Sequence, residues 1–229
     1  MLETKFIRIK NLEFKNLKLK LPENNFFCEN LKLYNLNFEN ILCNFTDDLQ
    51  GQIKFNFYEG KGIIDVKISD FSKFNGYFLI ETIDINKLSS SFEKNIVITG
   101  FINLNGNFNI EKDKFEFETS FNSVPKRGIK QYMNFGAVEV IASLSGGSVI
   151  KQFGTSNFYY KTIAGRISLK DNYLTIEGLA GEKGDNQYLI IKPILFPGIN
   201  ILIDKKNNTI KFDEFINRVN LAIERIKQR

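Results

Sequence analysis

A chain of 229 residues suits one large β domain or two small ones, and its 43% hydrophobic and 25% charged content is that of a folded globular protein rather than a disordered chain. It carries 23 Phe and 8 Tyr but no Trp and no His, which removes the commonest general base and metal ligand and with them the usual triads, zinc-hydrolase sites and most metal centres. The formal charge is +5, yet the 31 basic residues alternate with apolar or acidic ones, so only a mild attraction to an anionic membrane surface is expected.

Along the first twenty residues, basic side chains such as Lys5, Arg8 and Lys15 interrupt every apolar run, so neither a signal peptide nor a membrane span is read there. From Phe6 to Phe121 the apolar residues recur with period two, as in Ile53-Phe55-Phe57 and Ile64-Val66-Ile68, the pattern of strands with one apolar face. Asn24-Asn25, Asp47-Asp48, Glu59-Gly60, Asn75-Gly76 and Lys112-Asp113 read as turns, which predicts a meander of antiparallel hairpins. Alternation changes parity between Leu12-Phe14 and Leu17-Leu19, so a bulge or strand break is expected near Lys15-Asn16. Cys28 and Cys43 fall in adjacent strand segments without metal-ligand spacing, leaving two buried thiols or a disulfide as the readings. The stretch from Asp84 to Phe92 reads as a loop or a single helical turn.

After Pro125 the period changes. Ile129, Met133, Gly136, Ala137, Val140 and Leu144 recur at helical spacing up to the breaker Gly146-Gly147. Strands are predicted again at Phe158-Tyr160, Gly165–Leu169, Leu174–Ile176, Tyr188–Ile191 and Ile199–Ile203, with turns at Asp171-Asn172 and Lys206-Asn207-Asn208. A second helix closes the pattern, with Phe212, Phe215, Ile216, Val219, Ile223 and Ile226 on one stripe and a charge order that suits its dipole. The fold class read from this is mainly β with two amphipathic helices in the C-terminal part. Residues 1–124 form an antiparallel sheet segment and 125–229 a region continuous with the same sheet.

With strands about 4.8 Å apart, roughly a dozen of them make a sheet on the order of 55 to 60 Å wide, of which each helix covers only about 10 to 12 Å. The remaining apolar face requires a sandwich partner sheet, another chain or segment, or a curl into a trough for acyl chains. Chemistry finds little support. Ser143, Ser145 and Ser148 have no His to activate them, a pairing with Lys151 is a poor substitute, and Asp65, Asp84, Asp171 and Asp185 are spread through turns and strand faces. No catalytic residue, metal or cofactor is expected. Nucleic acid is not an expected partner, because Lys and Phe largely occupy opposite faces.

Gln131–Val138, Ile141–Gly147, Phe158-Tyr159-Tyr160, Ile163-Ala164-Gly165 to Leu169-Lys170-Asp171 and Leu174–Leu179 form an order of helix, aromatic strand and hairpin that resembles the C-terminal region of AsmA-like proteins, relatives of the TamB and bridge-like lipid transfer groups. Ile83–Leu88 and Gly100–Gly106 are similar, less specifically, to the repeated strands of that family. The resemblance implies a long curled, taco-like β-groove in the bacterial envelope that passes phospholipid or other lipids across the periplasm between inner and outer membranes. It also implies tethering to the inner membrane through a segment absent from this chain, which is then a fragment, a truncated product or a separate short relative. Expected groove residues are Phe55, Phe57, Val66, Ile68 and Ile98, followed by Leu104, Phe108, Phe115 and Phe117. The alternative is an assembly or scaffold module whose apolar face binds an envelope protein in outer-membrane protein biogenesis or secretion.

Overall fold

The computed structural model describes residues 2–9, 12–20, 24–70, 72–112, 114–144, 157–194 and 198–228. The chain forms β1 (Leu2–Ile9), β2 (Leu12–Lys20), β3 (Asn25–Leu33), β4 (Leu36–Phe45), β5 (Gln50–Phe57), β6 (Gly60–Asp70) and β7 (Lys73–Asp84) in succession. After α1 (Ile85–Phe92) come β8 (Phe101–Glu111) and β9 (Lys114–Val124), and every neighbour in this series pairs antiparallel. The meander expected from period two is therefore present.

The C-terminal part holds β10 (Tyr132–Asn134), α2 (Phe135–Leu144), β11 (Asn157–Tyr159), β12 (Thr162–Lys170), β13 (Tyr173–Gly178), β14 (Gly181–Lys183), β15 (Asn186–Ile191), β16 (Ile201–Asp204), β17 (Thr209–Lys211) and α3 (Phe212–Lys227). β12 pairs with β9, so the sheet continues past residue 124 through β13 to β17. The first two residues of β12 pair instead with β15, whose neighbours are β14 and β16. β12 is thus a corner from which a small sheet turns back over the large one. Among the described residues no sheet is strongly curled.

Two turns owe their shape to left-handed residues. Asp171 and Asn172 (φ 48° and 65°) form a two-residue hairpin, and Tyr58 and Glu59 (φ 45° and 68°) do the same one position before the expected Glu59-Gly60. The Asn75-Gly76 turn is a correction. Both residues lie inside β7, and the chain reverses instead around Ser72, whose N–H and hydroxyl donate to Asp70 Oδ1 at 2.7 and 2.6 Å. Gly76 serves a different purpose there: it faces Phe108 across the ladder, and a Cβ on it would sit 2.7 Å from the Phe108 ring.

The parity change near Lys15-Asn16 appears as a left-handed Asn16 (φ 52°) within β2. Comparable insertions keep the apolar residues on one face elsewhere. β4 gains a residue around Asn40 (φ 52°) against β5, and β7 gains one around Thr82 (φ 55°) against β8. The Thr82 N–H is satisfied by the Asn103 side chain at 2.9 Å.

Among the described residues three helices are present rather than the two expected. Asp84 Oδ1 accepts from Asn86 N and Lys87 N and so caps α1, extending the expected loop or single helical turn to eight helical residues. Conversely, α2 begins at Phe135, because Tyr132, Met133 and Asn134 pair with Tyr159, Phe158 and Asn157, and Ile129 is left exposed. The expected breaker Gly146-Gly147, with Ser145, Ser148 and Lys151, lies outside the described residues.

Five rings lie directly against glycines of the next strand: Phe45 on Gly51, Phe55 on Gly62, Phe108 on Gly76, Phe78 on Gly106 and Phe121 on Gly165. A Cβ on Gly62 would come within 2.2 Å of the Phe55 ring. Gly62→Ala is therefore expected to lower the free energy of unfolding by about 1–3 kcal/mol. In a Phe55→Leu background the same substitution should cost clearly less, a coupling that urea denaturation of the four proteins in the cycle would measure.

Candidate functional site

The apolar face carries two buried clusters at different places along the sheet. One gathers Cys28, Ile41, Cys43, Phe55, Phe57, Ile80 and Ile83, with Leu88 of α1 against it. The other gathers Met133, Ala137 and Val138 near α2, Leu169, Leu174 and Ile176 of the large sheet, Leu189, Ile190, Ile201 and Ile203 of the small sheet, and Ile226 of α3. Val66, Ile68, Phe74, Phe78, Phe108 and Ile110 belong to neither and are half-buried, while Phe115 is 49% exposed.

These residues lie in register across β6 to β9. One row runs Phe45, Gly51, Val66, Gly76, Phe108, Phe117, Leu169, Leu174 and Ile210, and the next pairs Ile68 with Phe74, Phe74 with Ile110 and Ile110 with Phe115. Leu49, 48% exposed, extends the outer row, its carbonyl accepting from Ile68 N at 3.0 Å. Burial falls along β5 and β7 away from α1. In β5, Phe57 and Phe55 are buried and Ile53 is half-buried; in β7, Ile83 and Ile80 are buried and Phe78 and Phe74 are half-buried. The open rim is thus the end of the sheet opposite α1.

A cavity of about 540 Å³ lies where this rim meets α3, lined by Phe115, Leu169 and Phe212 with Lys114, Asp171 and Asn172. Another of about 520 Å³ includes Phe45, Gly51, Val66 and Gly76 but is lined mostly by polar residues, among them Gln52, Asp65 and Lys67. Replacing larger side chains by glycine lets the rings lie low and leaves room above them.

Of the nine residues expected in a groove, Val66, Ile68, Phe108 and Phe115 are brought together on the uncovered stretch, and Phe117 adjoins it, its ring centroid 5.5 Å from that of Phe115. Phe55 and Phe57 are ordinary core, 6% and 7% exposed, and Leu104 packs against the same cluster. Ile98 is elsewhere: it bridges Met133 and packs on the C-terminal cluster, because Thr99 N and Asn134 N bond across to Tyr132 O and Val97 O. Sequence reasoning missed Phe74, Phe78 and Phe212. The first two keep period two with Gly76 and were concealed by reading Asn75-Gly76 as a turn.

Perturbed titrations are accounted for by local structure. Asp70 and Asp204 are held below the usual carboxylate range by hydrogen bonds in their own turns, Ser72 for the first and the Lys206 N–H for the second. Asp65 accepts from Gln52 at 2.8 Å, Asp84 caps α1, Asp171 neighbours Lys114 at 3.8 Å and Asp185 neighbours Lys206 at 3.2 Å. Among the described residues no group of three or more potential metal ligands converges. Nor is any described helix long and apolar enough to cross a membrane.

Cys28 and Cys43 are free and buried, at diagonal positions of β3 and β4, since Cys28 pairs with Ile41 and Cys43 with Phe26. Burial, reinforced by Cys28, pushes the Cys43 thiol from 9.0 to about 11, and burial raises Cys28 as well. Folding therefore favours the protonated thiols: their contribution is complete below the unfolded-state value near 9 and is lost as pH rises toward about 11. Thermal unfolding across pH 7 to 12 should show a steeper decline through this window (9 to 11) than the Cys43→Ala protein, and native Cys43 should resist alkylation at pH 8 while the unfolded chain reacts. Comparison with family models, with curated proteins and with solved structures returns no match.

Proposed function

We propose that the chain acts without bond chemistry, presenting a hydrophobic β-groove over which phospholipid passes between the inner and outer membranes of a bacterial envelope. The observation that carries this reading is the uncovered apolar stretch from Val66 to Phe115, continuous in register between two covered cores. In this reading the taco-like groove takes a shallow form, bounded by α1 at one end of its strands and by Phe212 of α3 beside its open rim. It works in the periplasm, tethered to the inner membrane in the manner of AsmA-like proteins.

The physical rationale is passive. Each methylene withdrawn from water gains about 0.8 kcal/mol, so a lipid held on apolar surface avoids most of the barrier to crossing an aqueous space. The uncovered part of the row, from β6 to β9, crosses three inter-strand steps, roughly 14 Å at about 4.8 Å each. That is about half the ~30 Å hydrocarbon thickness of a bilayer. An acyl chain spans one such half, so the open stretch is wide enough for one to lie across the strands.

Organic extraction and mass spectrometry of the purified chain are expected to recover phospholipid. Phe115→Asp should reduce the recovered lipid at least ten-fold while changing the unfolding midpoint little, because that side chain is already 49% exposed. Phe57→Asp, in the buried core, should instead prevent folding. Lipid-free protein carrying a stoichiometric protein partner would replace this reading by the scaffold one, and Phe115→Asp losing stability in step with lipid would make that residue ordinary core.

A further inference from the structure

The strand ends opposite the open rim carry a different surface. Three connecting segments meet there: residues 125–131 after β9, 160–161 before β12, and 192–194 with 198–200 after β15. Tyr160 N donates to Gln131 O at 3.1 Å, Lys161 N donates to Ile191 O at 2.7 Å, and Tyr159 bridges Gly198. Lys192 N is clamped by Asn200 Oδ1 at 2.8 Å, which closes the base of the third loop.

These loops hold Lys126, Arg127, Lys130, Lys161 and Lys192 and no Asp or Glu. The five cations equal the formal charge of the whole chain, +5, so the remaining residues balance. Lys126 lies over the Phe101 ring, 4.3 Å from its centroid. Arg127, Lys130, Lys161 and Lys192 are all exposed, and none makes an ion pair with another described residue. Elsewhere lysines such as Lys73, Lys87, Lys205 and Lys206 have acidic partners.

The same loops also expose aliphatic side chains. Ile129 is 45% exposed and Ile194 is 92% exposed. Leaving an isoleucine in water forfeits about 1.5–3 kcal/mol relative to burying it. Unpaired cations around protruding aliphatic tips match an interface that is anionic at its surface and apolar just beneath, where lysine stems also bury favourably. Nucleic acid would gain from the cations but has no use for aliphatic tips, since bases are held by stacking and hydrogen bonds.

We propose that this loop cluster docks the protein on an anionic lipid surface, with Arg127, Lys130, Lys161 and Lys192 at the headgroup phosphates and Ile129 and Ile194 entering the acyl boundary. The docking is independent of the groove, which lies toward the other end of the same strands.

Flotation with phosphatidylcholine vesicles, with and without phosphatidylglycerol, tests it. Binding is expected only with phosphatidylglycerol and should weaken as salt rises. Arg127→Ala combined with Lys130→Ala should reduce binding by roughly five-fold per cation removed. Ile194→Asp should reduce it as well, with thermal unfolding unchanged in both proteins because these side chains are exposed. Lys54→Ala with Lys67→Ala, the same charge change on the polar face of β5 and β6, should leave binding intact. Equal binding to both vesicle types, or equal loss from the Lys54 and Lys67 substitutions, would overturn the proposal. Binding to single-stranded DNA as tight as to the vesicles and indifferent to Ile194→Asp would make the patch a polyanion site instead.

Discussion

Phenylalanine laid flat on a cross-strand glycine is the contact on which the rest of the sheet depends. A strand ladder places opposite side chains about 4.5–5.5 Å apart, too close for two large rings to lie down side by side on a broad sheet. Placing glycine opposite Phe45, Phe55, Phe78, Phe108 and Phe121 gives each ring the space of its neighbour's missing side chain. The glycines gain an apolar cover for their backbone, and the rings gain area against it. A wide sheet is thereby made apolar on one face without being made thick, which is why that face stays low where no helix lies on it.

Cover is applied unevenly, and this follows from connectivity. The β7–β8 connection contains α1, so the N-terminal cluster is closed from the loop end of those strands. At the other side of the sheet the corner at β12 returns the chain as β14 to β16, and the two later helices complete the C-terminal cluster. Short turns join β6 to β7 and β8 to β9 at the opposite end. A turn of a few residues has no apolar stripe to lay over the face, so Ile68, Phe74, Ile110 and Phe115 remain uncovered there. Exposure on this face is a property of where the long connections fall.

The features legible in sequence were those set by local periodicity. Strict alternation located β5, β6, β8 and β9, the stripe from Phe212 to Ile226 located α3, and the polar pair Asp171-Asn172 located its hairpin, since each depends on neighbours a few residues away. What escaped was decided by distant partners. Asn75-Gly76 carries the strongest short hairpin signal, yet Gly76 is set by Phe108, more than thirty residues on. Met133 kept helical spacing with Ala137 but was drawn into a strand by Phe158 and a bridge to Ile98. For the same reason Ile98 left the row of groove residues to which alternation assigned it, while Val66, Ile68, Phe108 and Phe115 stayed. Along α3 the stripe also shifted by a fraction of a turn: Ala222 is 2% exposed and Ile216 40%, because docking on the C-terminal cluster selects the smaller side chain for closest approach.

Electrostatics separates the two ends of the sheet as clearly as burial does. At the open rim Lys73 faces Glu111 at 3.4 Å and Lys114 faces Asp171 at 3.8 Å, so charge is locally balanced around apolar side chains. On the polar face of the same strands Arg166 sits between Glu118 and Glu177 at 3.7 and 3.6 Å. Such exposed pairs add little stability, about 0–1 kcal/mol each, but they cancel the field that would otherwise extend beyond a Debye length of about 8 Å. Among the described residues Arg127, Lys130, Lys161 and Lys192 have no such ion-pair partner, and β9, eleven residues long, separates Arg127 from Phe115 by roughly 30 Å or more at about 3.3 Å per residue. An anionic surface drawn to the loops therefore lies well outside the screening range of the rim, and approach there would leave the uncovered rows facing away from it, accessible to a ligand while the protein is docked.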